Sequence, residues 1–181
     1  PNHLDTIWTI NETGRLHRHQ ELYNESETSH LRALEMLRTV LPEDDLQIVW
    51  TLNTLARTYR KQRRIDEAIA LHQKALVCQQ QRLGLRHPHA LWTMTDIGRC
   101  LRDKGNLLAA LEIHQKALLH RRETLGDLHA DILWSFNDVG IILEELGDVR
   151  EARRHHSFAH ERQEASLGTC HKHTVWSHCV V

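Results

Sequence analysis

Helix breakers are scarce in this 181-residue chain, which has three prolines and eight glycines. A sandwich or barrel needs frequent turn residues between short strands, so this scarcity favours long helices. Aromatic residues are also few: five tryptophans, two tyrosines and two phenylalanines. No apolar stretch approaches the roughly 18 residues needed to cross a bilayer. The polar N-terminal segment lacks the apolar run of a secretory signal. A formal charge of −1 gives no bulk attraction to nucleic acid or an anionic membrane, so any charge-based binding has to come from local segregation. The four cysteines (Cys78, Cys100, Cys170, Cys179) show no CxxC spacing and read as reduced thiols of a cytoplasmic protein. There is no P-loop, GxGxxG, HExxH or GxSxG, so the sequence points to neither an enzyme nor a cofactor. Starting at Pro1 and stopping just after Trp176, the chain reads as a piece of a longer protein.

What the chain has is a repeat. Trp8, Trp50, Trp92, Trp134 and Trp176 stand 42 residues apart. Sliding the sequence by that period aligns Leu83-Gly84, Leu125-Gly126 and Leu167-Gly168 without a gap. It also aligns His87, His129 and His171, and the small residues Gly14, Ala56, Gly98 and Gly140. Units of about 3–44, 45–86, 87–128 and 129–170 follow, with a truncated fifth from 171. They form a single repeat domain over 1–181.

Each unit carries two helical patterns. Leu91, Met94, Ile97, Gly98 and Leu101 fall at helical spacing and form one apolar stripe, where a strand would alternate. Gly105-Asn106 and Gly147-Asp148 are suited to ending a helix. A second helix then starts near Leu107 or Val149 and presents Ala110 and Ala117, or Ala152 and Ala159. Neither helix alone covers its apolar face, so stacked neighbours have to supply the core.

Gly98, Leu101, Ala110 and Ala117, like Ala56, Tyr59, Ala68 and Ala75, resemble the signature of the tetratricopeptide repeat. The 42-residue period, with Leu83-Gly84-Leu85-Arg86-His87-Pro88, resembles the kinesin light chain type. Similar arrays also occur in fungal and bacterial STAND/NLR-like signalling NTPases. The resemblance implies an all-α fold, a right-handed α-solenoid of antiparallel helical hairpins. The function it implies is a protein–protein interaction scaffold, or the sensing or autoinhibitory region of such an NTPase. The first repeat departs most, with Glu21 and Ser26 for the expected Gly and Ala and Pro42 for Gly, so a looser hairpin is expected there. In the second, Arg63 takes the place of Gly.

A second stripe on each first helix begins at the tryptophan. It reads Trp8, Asn11, Arg15, Arg18, then Trp50, Asn53, Arg57, Arg60, then Trp92, Thr95, Arg99, Arg102. In the fourth repeat it becomes Trp134, Asn137, Ile141, Glu144, which ends the basic strip. By resemblance these positions line a groove for peptides. Asn can bond a peptide backbone, Arg offers a planar fork to carboxylates, and Trp gives a large contact area. The expected partner is therefore a protein or peptide, acidic in character. Two other readings stand beside this one. The indoles could wedge between successive first helices, and the arginines could form a solvated face paired with Asp96, Asp103, Asp138 or Glu145.

The chain holds sixteen histidines. His30, His72, His114 and His156 share a register 42 residues apart, too far for one ion, and read as core or half-buried residues. Neither His156 with His160 nor Cys170, His171 and His173 completes a ligand set, so no metal is expected. Charging the buried ladder by acid should loosen the stack.

Overall fold

The computed structural model describes residues 3–125 and 129–167. Trp176, Cys170, Cys179, Gly126, Gly168, His171 and His173 lie outside them. Among the described residues the chain is all-helical. The first helices of the repeats are α1 (Leu4–His19), α3 (Leu46–Lys61), α5 (Pro88–Asp103) and α7 (Ala130–Glu145). The second helices are α2 (Tyr23–Arg38), α4 (Ile65–Leu83), α6 (Leu107–Leu125) and α8 (Val149–Leu167). Every helix start recurs after 42 residues, so the period of the sequence is also the period of the backbone.

Local chemistry sets these bounds. His3, Asp45, His87 and His129 share one register, and each side chain accepts the backbone N–H two residues on. Three of these four N-caps are imidazoles using Nδ1, which requires the neutral ring. At the hairpin turns the N–H of Leu22, Arg64, Asn106 and Asp148 reaches back five residues, to the carbonyls of His17, Tyr59, Leu101 and Leu143. That is a Schellman closure, and it needs a left-handed residue just before the donor. Gly105 and Gly147 meet this need at φ 85°, while Glu21 and Arg63 adopt φ 62° and 66°. The first hairpin therefore keeps the same closure despite Glu21. Its other unusual residue, Ser26, is buried and bonds Thr58 Oγ1 at 2.9 Å. The first repeat does differ at the end of α2, which stops three residues before the register at which α4 ends. Pro42 cannot continue a helix and disfavours helical backbone at Leu41.

The chain divides into two compact units, 1–100 and 101–181. In the first, α1 packs on α2, α2 on α3 and α3 on α4. Its core includes Ile7, Ala33, Leu34, Leu37, Ile48 and Leu52, with a second cluster of Leu55, Ala56, Tyr59, Ala68 and Cys100. In the second unit α6 packs on α7 and α7 on α8. Leu118, Ile132, Phe136, Val139, Leu143, Ala152 and Ala159 form its core. Consecutive helical hairpins, each burying its apolar stripe on the next helix, are thus the building plan of both units.

Candidate functional site

A groove of about 920 Å³ opens on the first unit. It runs across α1, α3 and α5, and two residues from the second helices, Leu37 and Gln79, join its lining. Its two banks follow from the order of residues along each first helix. Trp8, Trp50 and Trp92, with Leu4 and Leu46, come from the N-terminal halves. Arg15, Arg18, Arg57, Arg60 and Arg99 come from the C-terminal halves. The banks are about 15 Å apart, since Trp8 and Arg18 are separated by ten residues at 1.5 Å rise.

Trp8 and Trp92 are not wedged between helices. Trp8 is 62% exposed and Trp92 46%, while Trp50 and Trp134 are half-buried. Contact between successive first helices is made instead by a buried polar relay. His30 Nδ1 meets Asn11 Oδ1 at 3.0 Å, Asn11 Nδ2 donates to Thr51 Oγ1 at 2.7 Å, and Thr51 donates to the Gln47 carbonyl at 2.8 Å. One repeat on, His72 meets Asn53 at 2.7 Å, Asn53 donates to Thr93 at 3.0 Å, and Thr93 donates to the His89 carbonyl at 3.0 Å. Each relay joins the two helices of one repeat to the first helix of the next.

The direction of these bonds fixes the histidine tautomer. Because the amide nitrogen is committed to the threonine, the amide oxygen must accept, and Nδ1 carries the proton. The lone pair of Nε2 then points into the core without a hydrogen-bond partner in His30 and His72, while His156 Nε2 lies 3.8 Å from Glu144. All three residues are fully buried, as is His114 to within 2%. In His30 and His156 the ring edge packs so close to Gly14 and Gly140 that a Cβ there would lie 2.8 Å and 2.5 Å from the imidazole. Burial, reinforced by the charges of Arg18, Arg15 and His17, lowers the His30 pKa to about 4. Burial also lowers His72 to about 4, against the attraction of Asp96 and with the repulsion of Arg57 and Arg60.

Asn11 and Asn53 therefore lie at the groove, but both ends of each amide are engaged in packing. Asn137 bonds His156 in the second unit at 3.2 Å. Thr95 is buried and donates to the Leu91 carbonyl at 3.0 Å. Of the residues placed on the tryptophan stripe, Thr95, Arg102, Trp134 and Asn137 do not line this groove. The rest of its walls is the tryptophan bank and the arginine bank.

The arginine bank has its own electrostatics. Arg57 Nε bonds Asp96 Oδ2 at 2.7 Å, and Arg99 lies 3.7 Å from the same carboxylate. Burial alone would raise the Asp96 pKa, but the charges of Arg57 and Arg99 and the hydrogen bond from Arg57 outweigh it and hold the carboxyl below its usual range. Arg15 pairs with Glu12 at 3.1 Å, and in the second unit Arg102 lies 3.8 Å from Glu145. Acidic partners of the kind the sequence offered are thus present for part of the strip. Arg18 is in a different position. Its Nε is buried and has no hydrogen-bond partner. Burial lowers its pKa, the charges of Arg57, Arg15 and Arg60 lower it further, and Asp96 opposes them.

Among the described residues, no cluster of three or more His, Cys, Asp or Glu side chains could hold a metal, and no helix is long and apolar enough to cross a membrane. Gln79 is a groove residue that the stripe pattern missed. It is 5% exposed, with Oε1 unpartnered at the groove. Coming from a second helix, it has no place in a pattern read along first helices.

Comparison with known proteins agrees with this architecture. Models of the tetratricopeptide repeat match residues 6–46, 47–118 and 90–165. The chain belongs to the tetratricopeptide repeat family. Among solved structures it is similar to the TPR-like repeats of a kinesin light chain-like protein of Podosopora anserina. The TM-score is 0.83 at 19% identity, covering 98% of this chain and 84% of that one. BtubC (BKLC) from P. vanneervenii gives a TM-score of 0.81 at 16% identity, covering 94% and 68% of the two chains. A Rap protein complexed with competence and sporulation factor gives 0.76 at 19% identity, where this chain spans 45% of its length. At these identities the likeness is one of fold. No curated protein matches the sequence.

Proposed function

We propose that the groove of the first unit binds a peptide segment of a partner protein, and that the segment is acidic. The observation that carries this reading is the composition of the groove wall. Exposed indoles stand on one bank, and five arginines stand on the other, where Asp96 is buried against Arg57 and Arg99. Exposed tryptophan is the residue type that most often anchors a partner, and an arginine cluster selects carboxylates by paired hydrogen bonds. The tetratricopeptide fold supports protein binding, and a Rap protein of similar fold forms a complex with competence and sporulation factor. Two features fit a reducing, cytoplasmic setting: Cys78 and Cys100 are free thiols, and Cys100 is buried in the core.

The test is a peptide array probed with the 181-residue chain, comparing acidic, neutral and basic sequences that share the same apolar residues. Acidic peptides should be retained, and retention should fall between about 50 and about 200 mM salt as the Debye length shortens. The Arg18→Glu variant should weaken that preference while keeping the parent melting temperature within a few degrees. Arg18, whose Nε has no hydrogen-bond partner, is a better probe than Arg57, whose pair with Asp96 also holds α3 to α5. Equal retention of acidic and basic peptides would refute the reading.

A further inference from the structure

Among the described residues that line the groove, Arg18 and Gln79 each hold a buried side-chain polar atom with no hydrogen-bond partner. In Arg18 the atom is Nε, a donor on the arginine bank; in Gln79 it is Oε1, an acceptor. Gln79 is only 5% exposed and stands fourteen residues beyond Ile65, where α4 begins. In an antiparallel hairpin that is about 21 Å back from the turn, level with Gln47 and within a turn of Trp50. Gln79 therefore belongs to the indole bank, at the opposite end of the groove from Arg18.

Packing does not call for a glutamine at this place. Its counterparts 42 residues away are Leu37 and Arg121. Leu37 is buried in the core of the first repeat, where Asn11 supplies the polar link to Thr51. Arg121 is buried in the second unit and donates to Ser135, which shares the register of Thr51 and Thr93. In the second repeat Asn53 already donates to Thr93. The Gln79 oxygen thus has neither the apolar fit of Leu37 nor a bond like that of Arg121. A buried, unbonded amide oxygen costs stability that a leucine in the same place would not. Stability given up at the wall of a groove is the mark of a binding residue.

We infer that Gln79 anchors the main chain of the bound segment, its Oε1 accepting a backbone N–H from a residue seated against the indole bank. The inference rests on the peptide-binding reading and adds the atom that holds the peptide backbone. The last torsion of a glutamine side chain is broad, so a turn of the amide brings its oxygen onto an incoming N–H. A backbone donor suits the place because every residue except proline carries one. The neutral amide also accepts a hydrogen bond without repelling an acidic segment, as a carboxylate would. Arg18 shares the register of Arg60, about 20 Å along the helix axes from Gln79. A segment that meets both therefore spans at least about six extended residues.

The test takes the most strongly retained peptide of the array and replaces its backbone amides one at a time by esters, each of which removes a single N–H. Affinities for the 181-residue chain and for its Gln79→Leu variant are measured by fluorescence anisotropy. One ester should weaken binding to the parent by about fivefold, within the range of a neutral hydrogen bond. The same ester should change binding to Gln79→Leu by less than about twofold, because the two substitutions remove one contact. Gln79→Leu should bind the unmodified peptide about fivefold more weakly than the parent does. Its melting temperature should equal or exceed the parent's, since Leu37 fills the same place in the first repeat. Gln79→Met is a second variant that keeps the side-chain length and removes the acceptor. Unchanged affinity in both variants would overturn the inference, as would the same ester profile in the parent and in Gln79→Leu. A melting temperature lowered by more than a few degrees in both variants would also overturn it, because Gln79 would then serve the fold. If acidic and basic peptides are retained alike, the acidic-segment reading fails while this inference is still tested on the peptide retained. If no peptide is retained, both fail.

Discussion

Acid should destabilise this protein well before its carboxylates titrate, through His30 and His72. Both are fully buried, and both have a pKa of about 4, against about 6.5 in an unfolded chain. The unfolded state therefore takes up protons first as pH falls. Stability is intact above about pH 6.5 and is lost progressively down to the folded value near 4. Protonation would have to occur at Nε2, which faces no acceptor because Nδ1 already donates to Asn11 or Asn53. Between about pH 7.5 and about pH 5.5 linkage gives a loss of about 1 kcal/mol per histidine, rising to about 3 kcal/mol each by about pH 4. His156 acts in the same direction through burial, partly offset by Glu144. Two histidines together should lower the melting temperature by roughly 5–10 °C over that first interval, at about 2–4 °C per kcal/mol for a chain of this size. The assay is thermal unfolding by circular dichroism in buffers of matched ionic strength, repeated on His30→Phe and His72→Phe. The variants will start lower, since each strands an asparagine oxygen, but their slope against pH should flatten. A melting temperature equal at the two pH values would refute the argument, as would an unchanged slope in the double variant.

Three further substitutions test the architecture. Asn53→Leu removes the link between His72 and Thr93 and leaves the buried His72 Nδ1–H unpaired, so chemical denaturation should show a loss of about 1–3 kcal/mol; a neutral result would mean the relay contributes nothing to stacking. Arg63→Gly should raise the denaturation midpoint by up to about 1 kcal/mol. It relieves the roughly 1–2 kcal/mol cost of a left-handed residue, less the entropy glycine adds to the unfolded chain; an unchanged or lower midpoint would contradict this. Gly84 has φ 92° and ψ 157°, and a Cβ there would meet no atom within 4 Å. Gly84→Ala and Gly84→Ser should therefore cost the same amount, about 1–3 kcal/mol, from backbone conformation alone; a large difference between them would point to a side-chain contact instead.

The fold was legible because the chain repeats itself without a gap. A 42-residue period with two helical stripes leaves few ways to bury apolar surface, and the family follows from Gly98, Leu101, Ala110 and Ala117 together with their counterparts. The tryptophan and arginine banks were legible for the same reason, since the position seven residues after a tryptophan lies within about 20° of it and the position ten residues after it about 80° round the helix. The role of the asparagines was not. At 100° per residue Asn11 and Arg18 point within about 20° of each other, so the pattern cannot separate them. Side-chain length separates them in space, because a guanidinium can reach the groove from a position where a short amide stays between helices. Nor could the register of His30 and His72 reveal which ring nitrogen carries the proton. That depends on an asparagine of the partner helix and on a threonine one repeat further on.

The tryptophan ladder marks the same division. By itself the sequence determined the period, the helices, their ends and the family, because these depend on spacing and on local backbone chemistry. The tertiary structure alone decided that Trp8, Trp50 and Trp92 line a groove and that Trp8 and Trp92 stand exposed in it. Buried polar side chains already fill the space between the first helices of the first unit, and that could be seen only once residues 40 apart in the chain were side by side.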